Sequence, residues 1–175
     1  MAKREALREL QSRLAERLQA TRQETDAASW LAIEAAGHGL LLPLAQAGEI
    51  FALPAMAAVP HTHPWFLGVA NLRGRLHGVV DLAAFLGLRR EPLGDVAREQ
   101  CRLVAFNPSL ELNCAVLVDR LAGLRSSEQI RAEANETAWR PAFAGFAGLD
   151  PQGRRWQEIQ LAALATDPQF MKIAR

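Results

Sequence analysis

The run from Trp65 to Gly87 constrains this chain more than any other stretch, because three local structures follow one another in it without a gap. An apolar segment, Trp65 to Leu72, ends in Asn71-Leu72-Arg73-Gly74, where a charged residue stands between an apolar neighbour and a glycine free to adopt positive φ. Leu76 to Val80 then reads as a short strand, rich in β-branched residues. Asp81 stands where a helix N-cap belongs, ahead of a short Leu-Ala-Ala-Phe-Leu helix that Gly87 stops. The expected order is apolar helix or loop, exposed arginine turn, strand, capped helix. Val80, Leu82, Phe85 and Leu86 are its expected core residues.

The segments on either side have the rhythm of strands and turns. Trp30 to Ala36 and Gly39 to Pro43 flank Gly37-His38 as a hairpin, and Leu44 to Leu53 reads as a further extended segment interrupted by Gly48. Glu91 to Glu99 is polar and contains a proline and a glycine, the composition of a connector. Arg102 to Phe106 and Leu112 to Val118 form a second hairpin about Asn107-Pro108-Ser109. Many short strands with Gly and Pro turns between them argue for small β-barrels. No internal repeat or low-complexity segment is evident in the sequence. Residues 1–28 are a separate unit: Leu7, Leu10, Leu14 and Leu18 share one helical face, with Arg and Lys interspersed among acids on the rest. This amphipathic helix either packs on its own domain or is offered to a partner.

Charge and composition exclude several classes of function. Lys and Arg number 20 against 19 Asp and Glu, a net charge of +1, so no basic face for nucleic acid is expected. No apolar run approaches the roughly 18 to 20 residues of a membrane span, and the first residues lack a signal peptide's apolar core. A cytoplasmic protein without direct membrane insertion is expected. In that reducing setting Cys101 and Cys114 read as buried small hydrophobes.

A search for catalytic chemistry finds little. The serines lie in no Gly-x-Ser-x-Gly elbow, and Gly37-His38-Gly39 lacks the third glycine and following helix of a dinucleotide loop. His61 and His63 alternate on an extended segment and could ligate a metal with His38 or His77, which would make this a small β-barrel metal enzyme. With no acid or thiolate nearby in sequence, a surface loop is the better reading. Asp81 and Asp119 read as a helix cap and a turn residue, not an acid/base pair. Neither a cofactor nor a metal is expected. A binding module remains, in which Arg73 offers a planar fork to a carboxylate or carbonyl.

Gly68-Val69-Ala70-Asn71-Leu72-Arg73-Gly74 and Val80-Asp81-Leu82 resemble the motifs of the CheW-like domain, the adaptor fold of bacterial chemosensory arrays. Val116 to Gly123, Gly145-Phe146-Ala147-Gly148 and Trp156-Gln157-Glu158-Ile159 resemble that family's later segments in the same order. The resemblance covers residues 29–175 and implies a mainly β fold of two interlocked five-stranded SH3-like barrels with short helices. It implies a non-catalytic scaffold between the cytoplasmic tip of a methyl-accepting chemoreceptor and the CheW-like domain of a CheA-type histidine kinase. By motif position the receptor- or kinase-binding residues are Asn71, Leu72 and Arg73, with Glu49-Ile50 resembling a pair near the receptor-facing groove. The N-terminal helix, and Gly78 where flagellar adaptors commonly carry Pro, resemble the PilI-like branch that serves type IV pili and twitching; a flagellar coupling protein is the alternative. Gln160, where the family commonly has Asp, leaves the cap of the last short helix without its usual side chain.

Overall fold

The computed structural model describes residues 28–133 and 141–175, so the expected N-terminal amphipathic helix lies outside the described residues. Eleven strands are described: β1 (Ala28–Ala35), β2 (His38–Pro43), β3 (Ala47–Ala52), β4 (Phe66–Leu72), β5 (Arg75–Asp81), β6 (Arg102–Phe106), β7 (Cys114–Val118), β8 (Arg120–Ser126), β9 (Arg131–Ala132), β10 (Ala144–Leu149) and β11 (Arg155–Ile159). Four short helices join them: α1 (Leu82–Phe85), α2 (Asp95–Gln100), α3 (Leu161–Leu164) and α4 (Pro168–Met171).

The strands form two sheets, ordered β8-β1-β2-β11-β10-β9 and β3-β6-β7-β5-β4. Set side by side, they share one pairing scheme: β8-β1-β2-β11-β10 in the first corresponds to β3-β6-β7-β5-β4 in the second. In each, antiparallel partners surround one parallel pair, β2 with β11 and β5 with β7. In each, one strand of that parallel pair, β11 or β5, runs straight into a one-turn helix, α3 or α1. The sequence thus holds a repeat that its letters hide, Asp81-Leu82-Ala83-Ala84-Phe85 against Gln160-Leu161-Ala162-Ala163-Leu164. The first barrel carries β9 as a two-residue sixth strand. Because β2 hands the chain to β3 and β7 hands it back to β8, two crossings interlock the barrels.

Strands inside this arrangement are buried on both faces, which is why they read as continuous apolar runs. On β7, Cys114, Val116 and Val118 face a central core between the sheets, whereas Ala115 and Leu117 face the interior of the second barrel. On β1 and β2, Leu31, Ile33, Leu40 and Leu42 join the central core, and Ala32 and Leu41 meet Trp156 inside the first barrel. Val80 and Leu82 are fully buried as expected, while Phe85 and Leu86 are half-buried at the edge of the central core. Both cysteines are buried, and burial pushes the Cys114 thiol up to about 12.

Three local readings change. The apolar stretch after Trp65 is neither helix nor loop but strand β4, paired antiparallel with β5 from Phe66↔Val80 to Leu72↔Arg75. A short apolar run does not by itself distinguish helix from buried strand; here the turn decides, because Arg73 (φ 50°) and Gly74 (φ 81°) both take positive φ, as a two-residue hairpin turn requires. The polar connector holds a helix, α2, which begins directly after Gly94. The turn of the first hairpin falls on Ala36-Gly37, both at positive φ, one residue before the expected place.

Asp81 caps α1 as read, its Oδ1 accepting from the Ala84 amide at 3.1 Å. At the equivalent position Gln160 makes no side-chain cap to α3. Gln46, on the crossing from β2 to β3, supplies it instead: its Oε1 accepts from the Ala162 amide at 3.0 Å and its Nε2 donates to Gln160 Oε1 at 2.8 Å. Gln46→Ala is therefore expected to lower stability by about 1 kcal/mol, the usual worth of a cap. Adding Gln160→Asp is expected to restore most of it. Urea melts of the single and double variants check this; a Gln46→Ala protein as stable as the parent would show that the amide is solvated at no cost.

Candidate functional site

The β4–β5 turn is built to expose one side chain. Asn71 Oδ1 accepts from the Gly74 amide at 2.8 Å, closing the turn and holding Arg73 in a left-handed conformation that a non-glycine residue adopts only when its surroundings impose it. Leu72 is buried at 4 % in the second barrel and anchors the turn from below. The Arg73 side chain, 76 % exposed, reaches across to β3, where its Nη2 lies 2.5 Å from Glu49 Oε1. Ile50, the next residue, is 39 % exposed.

Two segments 24 positions apart in sequence are therefore one surface patch, Arg73 with Glu49 and Ile50. Asn71 and Leu72 have structural employment in it, one closing the turn and one filling the core. An ion pair this exposed is worth about 0–1 kcal/mol. A carboxylate or carbonyl on a partner can therefore take the place of Glu49 at little cost. Beside the pair, Phe51, Leu72, Ala105, Phe106, Pro108 and Leu112 contribute to the lining of a cleft of about 210 Å³. Leu76, 63 % exposed on β5, was not marked by the sequence, since a lone leucine next to a turn carries no signal; it lies between Arg75 and His77, which line the cleft, and so faces the other side of the strand.

Of the histidines, His77 joins the lining of this cleft, whereas His61 and His63 lie elsewhere. Thr62 bridges to Ala174, the His63 amide donates to Ile173 O at 2.9 Å, and the His63 ring stacks on Trp65 with centroids 5.4 Å apart. Among the described residues no three His, Cys, Asp or Glu side chains converge as a metal site. No helix among them is long and apolar enough to cross a membrane.

A second polar constellation, invisible to sequence reading, lies at the crossing from β7 to β8. Arg89, its side chain only 10 % exposed, donates through Nη1 to Asp81 Oδ2 at 2.7 Å and through Nη2 to Asp119 Oδ1. Burial alone would lower the Arg89 pKa, but the hydrogen bonds to Asp119 and Asp81 outweigh it and hold the group above its ordinary value. Asp119 Oδ2 also accepts from the Ala36 amide at 2.7 Å, and the Asp119 amide donates to Glu34 O at 2.9 Å. Glu34 in turn accepts from Arg120 and Arg154. The Arg120 hydrogen bond holds its carboxyl below the usual range, against the opposing pull of burial and with Arg154 adding to it. Asp81 and Asp119 are thus cap and turn residues, as read, and something more: both are ligands of one arginine.

Paired barrels exchanging their chain at two crossings, with an exposed arginine turn on one of them, define a CheW-like domain, a class of scaffold in chemosensory signalling. A model of the family described as CheW-like domain matches residues 29–169, and the chain belongs to that family. It is 31 % identical over 168 residues to Protein PilI of Pseudomonas aeruginosa, covering 93 % of this chain and 89 % of that protein. Its sequence is thus PilI-type, in agreement with the branch expected. The scaffolding protein TtCheW of Thermoanaerobacter tengcongensis has the same fold, with a TM-score of 0.62 at 17 % identity over 76 % of this chain and 88 % of that one.

Proposed function

We propose that this scaffold couples the cytoplasmic tip of a methyl-accepting chemoreceptor to a CheA-type histidine kinase, which it meets through the kinase's own CheW-like domain. The observation that carries the reading is the Arg73 turn: a strained, locked hairpin that places a guanidinium in solvent beside Glu49 and Ile50, where it serves no core. Similarity to PilI favours an array that governs type IV pili and twitching over a flagellar one. The protein would act in the cytoplasm, held at membrane receptor arrays by its partners, with the residues ahead of β1 as an amphipathic extension of the domain. Its output is a bias on populations: a receptor changes kinase activity through such a scaffold only if the assembly binds its on and off arrangements with different affinity.

Arg73→Ala tests the site. Alanine keeps the same backbone strain and leaves the core untouched, so the melting temperature is expected to hold. Loss of a charge-assisted contact is expected to weaken binding of a receptor cytoplasmic fragment by about 1.5–3 kcal/mol, roughly 10- to 150-fold in Kd. Titration calorimetry checks it. Unchanged affinity for both receptor fragment and kinase domain would remove Arg73 from the interface.

A further inference from the structure

We propose that Arg89 is a positioning residue that fixes the angle between the two barrels, and with it the relative orientation of the surfaces they present to partners. The geometry points there because Arg89 sits where the barrels exchange chain. Asp81 belongs to β5 and α1 of the second barrel. Asp119 is the residue between β7 and β8, the crossing itself. Through its second oxygen and its amide, Asp119 is tied to Ala36 and Glu34 at the end of β1 in the first barrel. Arg120 and Arg154 then bring β8 and the turn before β11 onto Glu34.

Six charges alternate in sign along this path: Arg154, Glu34, Arg120, Asp119, Arg89 and Asp81. The part shielded from water is Arg89 with Asp81, 10 % and 7 % exposed, whereas Arg120 at 65 % faces solvent. Among the described residues, the other crossing, from β2 to β3, carries the neutral pair Gln46 and Gln160 at the matching position.

Physical reasoning separates orientation from stability here. The central core between the barrels is mostly aliphatic, and hydrophobic contact is non-directional. A buried ion pair adds little net stability over apolar groups of the same size, but its geometry is demanding, and a planar guanidinium shared by two carboxylates is more demanding still. The core accordingly holds the barrels together, and the Arg89 fork selects the angle at which they meet.

The test removes the charges without leaving any of them unpaired. Arg89→Met combined with Asp81→Asn and Asp119→Asn keeps the volume, keeps a good N-cap residue at 81 and keeps an acceptor for the Ala36 amide. Spin labels on Leu76→Cys in the second barrel and Gln152→Cys in the first report the distance between barrels; the two native cysteines are buried. Pulsed electron resonance on the full chain is expected to give a narrow distance distribution for the parent and one at least twice as broad, or shifted by several ångströms, for the triple variant. The control is Leu41→Val, which trims the first barrel's interior away from the crossing and is expected to leave the distribution narrow. A triple variant as narrow and as placed as the parent would overturn the proposal, and so would a control that broadens equally, since breadth would then follow stability. The consequence for signalling rests on the scaffold reading above, but the distance measurement involves no partner and so succeeds or fails apart from it.

Discussion

Phe170→Ala is expected to destabilise the protein by about 3–5 kcal/mol, the range for emptying a fully buried aromatic site. Phe170 is 3 % exposed and stands at the centre of an aromatic cluster, stacked on Phe106 and Trp65 at 6.0 and 6.2 Å and edge-on to Phe85 at 5.1 Å. It reaches the cluster from α4, a single turn whose start is fixed by Asp167 Oδ1, accepting from the amides of Gln169 and Phe170 at 2.9 and 3.0 Å. Its loss would also release the last residues, which pair with the segment around Thr62. A domain of this size should melt roughly 6–20 °C lower. Phe170→Leu, which refills much of the space, should recover part of the loss. Thermal melts of both variants decide it: an alanine variant within about 2 °C of the parent would mean that the cluster closes over the gap.

The contrast with Phe85 shows what sequence reading could reach. Phe85 follows a recognisable strand, cap and helix pattern and was marked as core, yet it is only half-buried. Phe170 lies in Thr166-Asp167-Pro168-Gln169-Phe170, where a four-residue turn leaves no periodicity to read, and its burial depends on partners up to 105 positions away. Local chemistry was legible wherever one residue's neighbours decide its role: the Asp81 cap, the Asn71-to-Gly74 turn, the Asn107-Pro108 bend. Motif order carried the resemblance, and through it the two interlocked barrels. What stayed hidden was long-range pairing of ordinary residues. Glu49 and Arg73 were each marked, but nothing in their spacing joined them as an ion pair. Arg89 was not marked at all, because its two carboxylates lie 8 and 30 positions away and no local pattern links them. The internal repeat escaped for a related reason: the first barrel draws β1 and β2 from one end of the described chain and β8 to β11 from the other, so its strands follow a rotated order.

Gly68 carries the second large effect and divides the central motif into a structural and a docking half. Its φ of 131° is one that side-chain-bearing residues rarely adopt, and a Cβ built there would lie 2.2 Å from Ala57 O. That oxygen cannot retreat, because Ala57 and Val69 exchange both backbone hydrogen bonds at 2.9 Å, tying the segment before Trp65 onto the edge of β4. Gly68→Val must therefore distort β4 or break this bridge. Backbone strain and overpacking contribute about 1–3 kcal/mol each, so a loss of about 2–6 kcal/mol is expected. Gly68→Ala should show much of it, since the first carbon makes the clash. Five residues on, Arg73→Ala should do the reverse, keeping stability and losing affinity. Urea melts and receptor-fragment titrations on both variants therefore give opposite patterns if the motif is divided in this way. A Gly68→Val protein as stable as the parent would show that Ala57 yields, and would leave the glycine open to a role in docking beside Arg73.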